Sequence, residues 1–110
     1  MKTSGVILVI FLFLFFVSAL SANDQGEAIF KSKGCIFCHK LGRSSGTIPS
    51  LPDLAKAYKG KQKQLVMYLN GEAGPIVNPE RAGTMKRQIE KTKAMSDSDR
   101  TALADFMLSH

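Results

Sequence analysis

The sequence predicts a small all-α domain of four to five short helices. Three observations carry that prediction. Apolar residues recur at spacings of three and four, capping residues stand before these stretches, and Gly or Pro follows them. No run alternates apolar and polar side chains with β-branched enrichment, so no sheet is expected. At 110 residues the chain has room for one domain.

The first twenty-two residues stand apart from that domain. Lys2 precedes an unbroken apolar stretch from Val6 to Val17, and Ser18-Ala19-Leu20-Ser21-Ala22 follows. A charged start, an apolar run and small residues at the exit are the parts of a secretory signal. An uncleaved anchor fits less well, because spanning hydrocarbon takes about 20 apolar residues. Residues 1–22 are therefore read as a cleavable signal peptide and 23–110 as the folded domain. Export places that domain in an oxidising compartment, where a vicinal Cys pair stays reduced only if something captures it.

Each helix has its own signals. Asp24 with Glu27 three residues on resembles a capping box, Ile29 and Phe30 give an apolar stripe, and Gly34 stops the helix. Gly42–Gly46, Pro49 and Pro52 mark a loop. Asp53 is expected to cap a short helix over Leu54–Lys59, ended by Gly60. Lys61–Asn70 carries Leu65, Val66, Tyr68 and Leu69 at helical spacing and is followed by Gly71. Gly74–Pro79 is a link rich in helix breakers. Glu80–Thr92 is polar and partly helical, and Ser96 or Asp97 starts a last helix with Leu103, Phe106 and Met107 on its inner stripe.

Composition narrows the chemistry. Beyond residue 22 no Trp, two Tyr and three Phe remain, so the core is modest and a cofactor or cross-link would add needed stability. Two cysteines exclude a disulfide-dense scaffold and a four-cysteine zinc or iron–sulfur site. They stand in Cys35-Ile36-Phe37-Cys38-His39, the spacing at which haem c is attached. Two intervening residues let both thiols reach adjacent vinyl groups of the porphyrin, and the next side chain offers an imidazole to the iron. A chance match in a chain of this size is on the order of one in a thousand. A thioredoxin-like dithiol would belong in a βαβ context, which is absent from the sequence. A zinc site would lack a fourth ligand beyond the terminal His110, and a plain disulfide leaves His39 unexplained.

Beyond the motif, three stretches resemble the small soluble bacterial class I cytochromes c. Gly26-Glu27-Ala28-Ile29-Phe30 leads into Lys33-Gly34-Cys35, as in the family's first helix. Ile48-Pro49-Ser50-Leu51 lies where the family has its proline loop, and Ser96-Asp97-Ser98-Asp99 through Leu103-Ala104-Asp105-Phe106 is similar to its last helix. The resemblance implies a class I cytochrome c fold wrapped around one covalently bound haem c, with the first and last helices crossing at Gly26 and Phe106. It implies iron ligation by His39 and by a Met of the C-terminal half, with the Pro49 carbonyl bonded to the far nitrogen of His39. Of the four Met beyond residue 22, Met67 and Met107 lie on apolar stripes and Met95 directly precedes the Ser96 cap. Met85, in Gly83-Thr84-Met85-Lys86, is the expected ligand, with Met95 next. The polar stretch after it resembles a subgroup with an extra helical turn around the ligand.

Phe30, Leu51, Leu54, Leu65, Leu69 and Phe106 are expected in the haem pocket or core. Tyr58, Tyr68 and Arg43 are read as ordinary surface or amphipathic residues rather than contacts of the haem propionates. The implied function is one-electron transfer between exported or membrane-bound complexes of a respiratory chain, by a periplasmic monomer that meets membranes only through its partners. No nucleophile–base pair, carboxylate dyad or phosphate loop marks an enzyme. Eight basic residues against one acid between Lys31 and Lys63, and an even balance from Glu72 onward, point to acidic redox partners. Nucleic acid is not expected, because aromatic residues do not interleave the basic ones. Two alternatives stay open: a haem-c subunit of, or membrane-anchored donor to, a larger redox enzyme, and a gas- or peroxide-reactive haem protein lacking the Met ligand.

Overall fold

A computed structural model describes residues 22–44 and 46–110, and the expected signal peptide lies outside the described residues except for Ala22. Five α-helices follow one another: α1 Ala22–Ser32, α2 Leu51–Ala57, α3 Gln62–Leu69, α4 Ala82–Lys93 and α5 Asp97–Leu108. Single 3-10 turns at Cys35–Phe37 and Pro79–Arg81 introduce the two segments that matter most for chemistry. Among the described residues there is no strand, and no helix is long and apolar enough to cross a membrane.

α1 begins at Ala22, so Asp24 lies inside its first turn instead of capping it. A carboxylate there still interacts favourably with the positive end of the helix dipole. Glu27 accepts from Lys31 Nζ at 2.7 Å one turn on, and that partner holds the Glu27 carboxyl below its ordinary value. Gly34 ends the segment at φ 79°, a left-handed conformation that favours glycine.

α2 differs most from expectation. It spans Leu51–Ala57, three residues earlier than the sequence predicts, and Ser50 caps it, not Asp53. Ser50 Oγ accepts from Asp53 N at 3.2 Å, and Asp53 Oδ2 accepts from Ser50 N at 3.1 Å. That is a reciprocal capping box with Asp53 at its third helical position. Pro52 stands in the first turn, where its missing N–H costs nothing, so it starts the helix instead of breaking the chain before it. Leu51 is thereby fully buried, with Leu54 and Ala55 on the same face.

α3 matches its expected span within a residue at each end, and α5 starts at Asp97 as expected. Ser96 caps α5 by accepting from Asp99 N at 3.1 Å. α5 is the hub: it packs on α1, α3 and α2, and its Leu103, Phe106 and Met107 are buried as the stripe predicts. At the α1–α5 crossing Gly26 is buried, and a Cβ on it would sit 2.5 Å from Phe106 Cβ and closer still to the Ala102 carbonyl oxygen. The backbone of α1 approaches α5 too closely for any side chain there. Phe30 and Phe106 then meet at a ring-centroid distance of 5.5 Å, within the usual range for aromatic pairs. α4 is different in kind. Its main helical partner is α3, and Thr92 is its only buried residue.

Candidate functional site

The segment after α1 turns tightly. Phe37 N donates to Gly34 O, Cys38 N to Cys35 O at 3.2 Å, and His39 N to Cys35 O at 2.9 Å. This compact turn presents Cys35 half-buried and Cys38 exposed, with no disulfide between them. Burial pushes the Cys35 thiol above its ordinary value, so it is neutral at physiological pH. His39 follows at once, and its Nδ1 lies 2.8 Å from the Pro49 carbonyl oxygen. A carbonyl only accepts, so Nδ1 carries a proton, and in the neutral ring Nε2 is the nitrogen with the lone pair.

These residues line one cavity, in which about 220 Å³ admits the centre of a water molecule. Cys35, Cys38, His39 and Pro49 belong to its wall, and so does Met85 from the distant α4. Met85 sits in the first turns of a helix and not in a loop, because the 3-10 turn Pro79–Arg81 runs directly into α4. Of the other Met residues, Met107 also borders the cavity, whereas Met67 and Met95 do not. Met107 is part of the buried core; Met85 is half-buried and lies outside that cluster.

The apolar wall separates residues that the sequence leaves in one class. Phe30, Leu54, Leu65 and Leu69 line the cavity, while Leu51 and Phe106 belong to the core alone. Tyr58 is corrected: it is no surface residue but buried at 2% exposure on the cavity wall. Its hydroxyl has no hydrogen-bond partner among the described residues. Burial raises its pKa, opposed weakly by the Ile76 backbone, which lies near without reaching hydrogen-bond geometry. Tyr68 lines the cavity too and is likewise raised, by burial first and by neighbouring Tyr58 second. Arg43 is exposed and away from the cavity wall. Sequence reading missed Gln88, Ile89 and Thr92, which line the cavity from the same helix as Met85. Their spacing of three, four and seven from Met85 is the signal, hidden because two of the three are polar.

The family model for cytochrome c matches residues 24–110. The chain belongs to the cytochrome c family. No curated protein matches it closely enough to count as a relative. As a cytochrome c it carries covalently bound haem c and serves electron transfer in general. The structure of this cytochrome fits that group in three respects. The cavity is lined chiefly by apolar side chains, two unbridged thiols and an imidazole with a free Nε2 border it, and a buried hydroxyl on its wall awaits an acceptor. Haem c supplies a one-electron Fe(II)/Fe(III) couple. The chain's part is to hold it, orient the ligands and keep water out.

Proposed function

We propose that this cytochrome is an exported one-electron carrier in which Cys35 and Cys38 bind the haem through thioethers and His39 and Met85 ligate its iron. The observation that supports this most is the single cavity shared by the attachment turn, the Pro49-oriented His39 and Met85. Met85 is favoured over Met107 because the core does not claim its thioether. The Nδ1–H bond to Pro49 fixes the ring and makes Nε2 a stronger donor to iron. Thioether ligation favours the ferrous state relative to a second imidazole. With His39 and Met85 both holding the iron, the chain would leave no open place for oxygen or substrate, which is why a carrier is preferred to an enzyme.

The partners proposed are acidic redox proteins of a periplasmic respiratory chain. Phe37 is 77% exposed between the two cysteines, Leu41 is 45% exposed just beyond His39, and exposed Lys33, Lys40 and Arg43 flank them. An apolar centre with a cationic rim is suited to short-lived docking at the haem attachment turn. Residues 1–22 are proposed as the export signal and the carrier as a monomer.

Two measurements test the reading. After acid–acetone extraction of the denatured protein the haem is expected to stay on the polypeptide; haem in the solvent would remove the attachment proposal. In the oxidised protein, Met85→Ala is expected to abolish the weak near-infrared sulfur–iron band, and in the reduced protein to admit carbon monoxide. If Met107→Ala or Met95→Ala does so while Met85→Ala is silent, the sulfur ligand has been misassigned.

A further inference from the structure

α4 carries Met85 yet has no fully buried apolar residue, its Ile89 being only partly buried against the core, so polar contacts must help hold it. Its only buried residue is Thr92. The Thr92 hydroxyl donates to Leu69 O at 2.6 Å, across to the end of α3, and lies 3.1 Å from Ile89 O in its own helix. The carbonyls at the end of α4 converge on a second group. Arg100, from the first turn of α5, is 4% exposed and donates to Thr92 O at 3.1 Å, Lys93 O at 3.1 Å and Met95 O at 2.7 Å. Its remaining strong contact is Asp97 Oδ1 at 2.7 Å. The last carbonyls of a helix have no partner within the helix, and a guanidinium satisfies several at once while complementing the negative end of the dipole.

We infer that Thr92 and Arg100 form a polar clamp that sets the position of α4 and thereby holds the Met85 thioether in the haem cavity; both are positioning residues. Met85 and Thr92 are seven residues apart, so they share one helix face about 10 Å apart along the axis. Both line the cavity. Fixing Thr92 at α3 and Arg100 at α5 therefore fixes the face on which Met85 stands. Because Ile89 alone of α4 packs on the apolar core, and only partly, the clamp governs how often this helix lifts locally while α1, α3 and α5 stay folded. Such local opening is set by the contacts of the segment itself and not by global stability. The inference rests on Met85 as the ligand.

Carbon monoxide binding to the reduced, haem-loaded protein reads the opening, since it enters only when the sulfur has left. Thr92→Val keeps the shape and removes the hydroxyl, leaving Leu69 O without its partner. The carbon monoxide on-rate is expected to rise about tenfold, the size of one buried hydrogen bond at about 1.4 kcal/mol. Thr92→Ser restores the hydroxyl and is expected to bring the rate back to that of the native chain. Ala104→Gly, in the core but off the cavity wall, lowers global stability and is expected to leave the rate unchanged. The urea midpoint of the far-ultraviolet signal, recorded for all three, confirms that each is folded. A native rate in Thr92→Val, or an equal rise in Ala104→Gly, overturns the clamp. Met85→Ala run alongside separates the two readings. If it binds carbon monoxide rapidly while Thr92→Val does not, the ligand stands and the clamp falls. If Met85→Ala is itself silent, the ligand assignment falls and takes the clamp with it.

Discussion

A single hydroxyl shows how burial and function meet in this chain. Tyr58 is 2% exposed and its oxygen has no hydrogen-bond partner among the described residues. A buried, unmade hydrogen bond is costly, and its cost is removed if a bound group supplies the acceptor. Desolvation keeps the phenol protonated at physiological pH, so it remains a donor. The haem propionates are acceptors of the right charge. Tyr58→Phe is therefore expected to destabilise the haem-loaded protein by about 1–3 kcal/mol, measured by urea unfolding. If the hydroxyl has no acceptor, the same substitution leaves stability unchanged or raises it. His39 shows the complementary case, in which the partner is already present in the chain. The Pro49 carbonyl selects its tautomer before any metal chemistry begins.

At the scale of elements, α2 makes the clearest case for caps. Ser50 and Asp53 satisfy each other's backbone N–H groups, so the helix starts where Leu51 is buried. Ser50→Ala is expected to cost about 1 kcal/mol in unfolding free energy. Asp53 gives a pH signature. Hydrogen bonds hold its carboxyl below the ordinary value of 3.8, from the Ser44 hydroxyl first and then from the Ser50 backbone and hydroxyl. A depressed carboxyl contributes stability above its unfolded pKa and loses it as pH falls through the folded value. Asp53→Asn is thus expected to lower the thermal midpoint at pH 7, with the difference shrinking below about pH 4 and vanishing in stronger acid. Thermal melts of both proteins between pH 2 and 7 check the sign. Because Asp53 is exposed, the effect is modest and salt-screened.

At the scale of the whole molecule two features stand out, the α1–α5 crossing and the segregation of charge. Gly26 has no space for a Cβ between Ala102 and Phe106. Gly26→Ala is expected to cost roughly 1–3 kcal/mol or more by urea unfolding, because α1 must lift from α5. The charge balance of the later half of the chain conceals a separation. α4 carries Lys86, Arg87, Lys91 and Lys93 against Glu90, whereas α5 carries Asp97, Asp99 and Asp105 against Arg100. Gln25 Nε2 donates to Asp99 at 2.6 Å, which brings α5's acids beside α1. Lys33 and Lys91 border the cavity, while Lys56, Lys59, Lys61 and Lys63 of the earlier basic segment do not. The cationic surface near the haem site is thus built from both halves of the chain. With an acidic redox partner, electron-transfer rate is expected to fall as salt rises, over a Debye length of about 8 Å at physiological ionic strength. Lys33→Glu and Lys40→Glu are expected to slow it strongly, and Asp105→Lys to change it little, as read by stopped-flow kinetics.

Features that depend only on neighbours along the chain are already written in it. The Cys35–His39 spacing, the Gly34 stop, the Ser96 cap and the Leu103–Phe106–Met107 stripe are local, so haem attachment and the last helix were legible without coordinates. α2 was misplaced by three residues because Ser50 and Asp53 are both good caps, and only the burial of Leu51 chooses between them. Tyr58 reads as an ordinary surface or amphipathic residue and Arg100 is not singled out at all, since nothing in a linear pattern tells a buried polar group with distant partners from an exposed one. Arg100's carbonyl acceptors lie across a helix–helix corner, and Thr92's partner lies on α3. The polar clamp and the cationic surface to which both Lys33 and Lys91 contribute were decided by tertiary structure, because each joins residues that the chain keeps apart and only packing brings together.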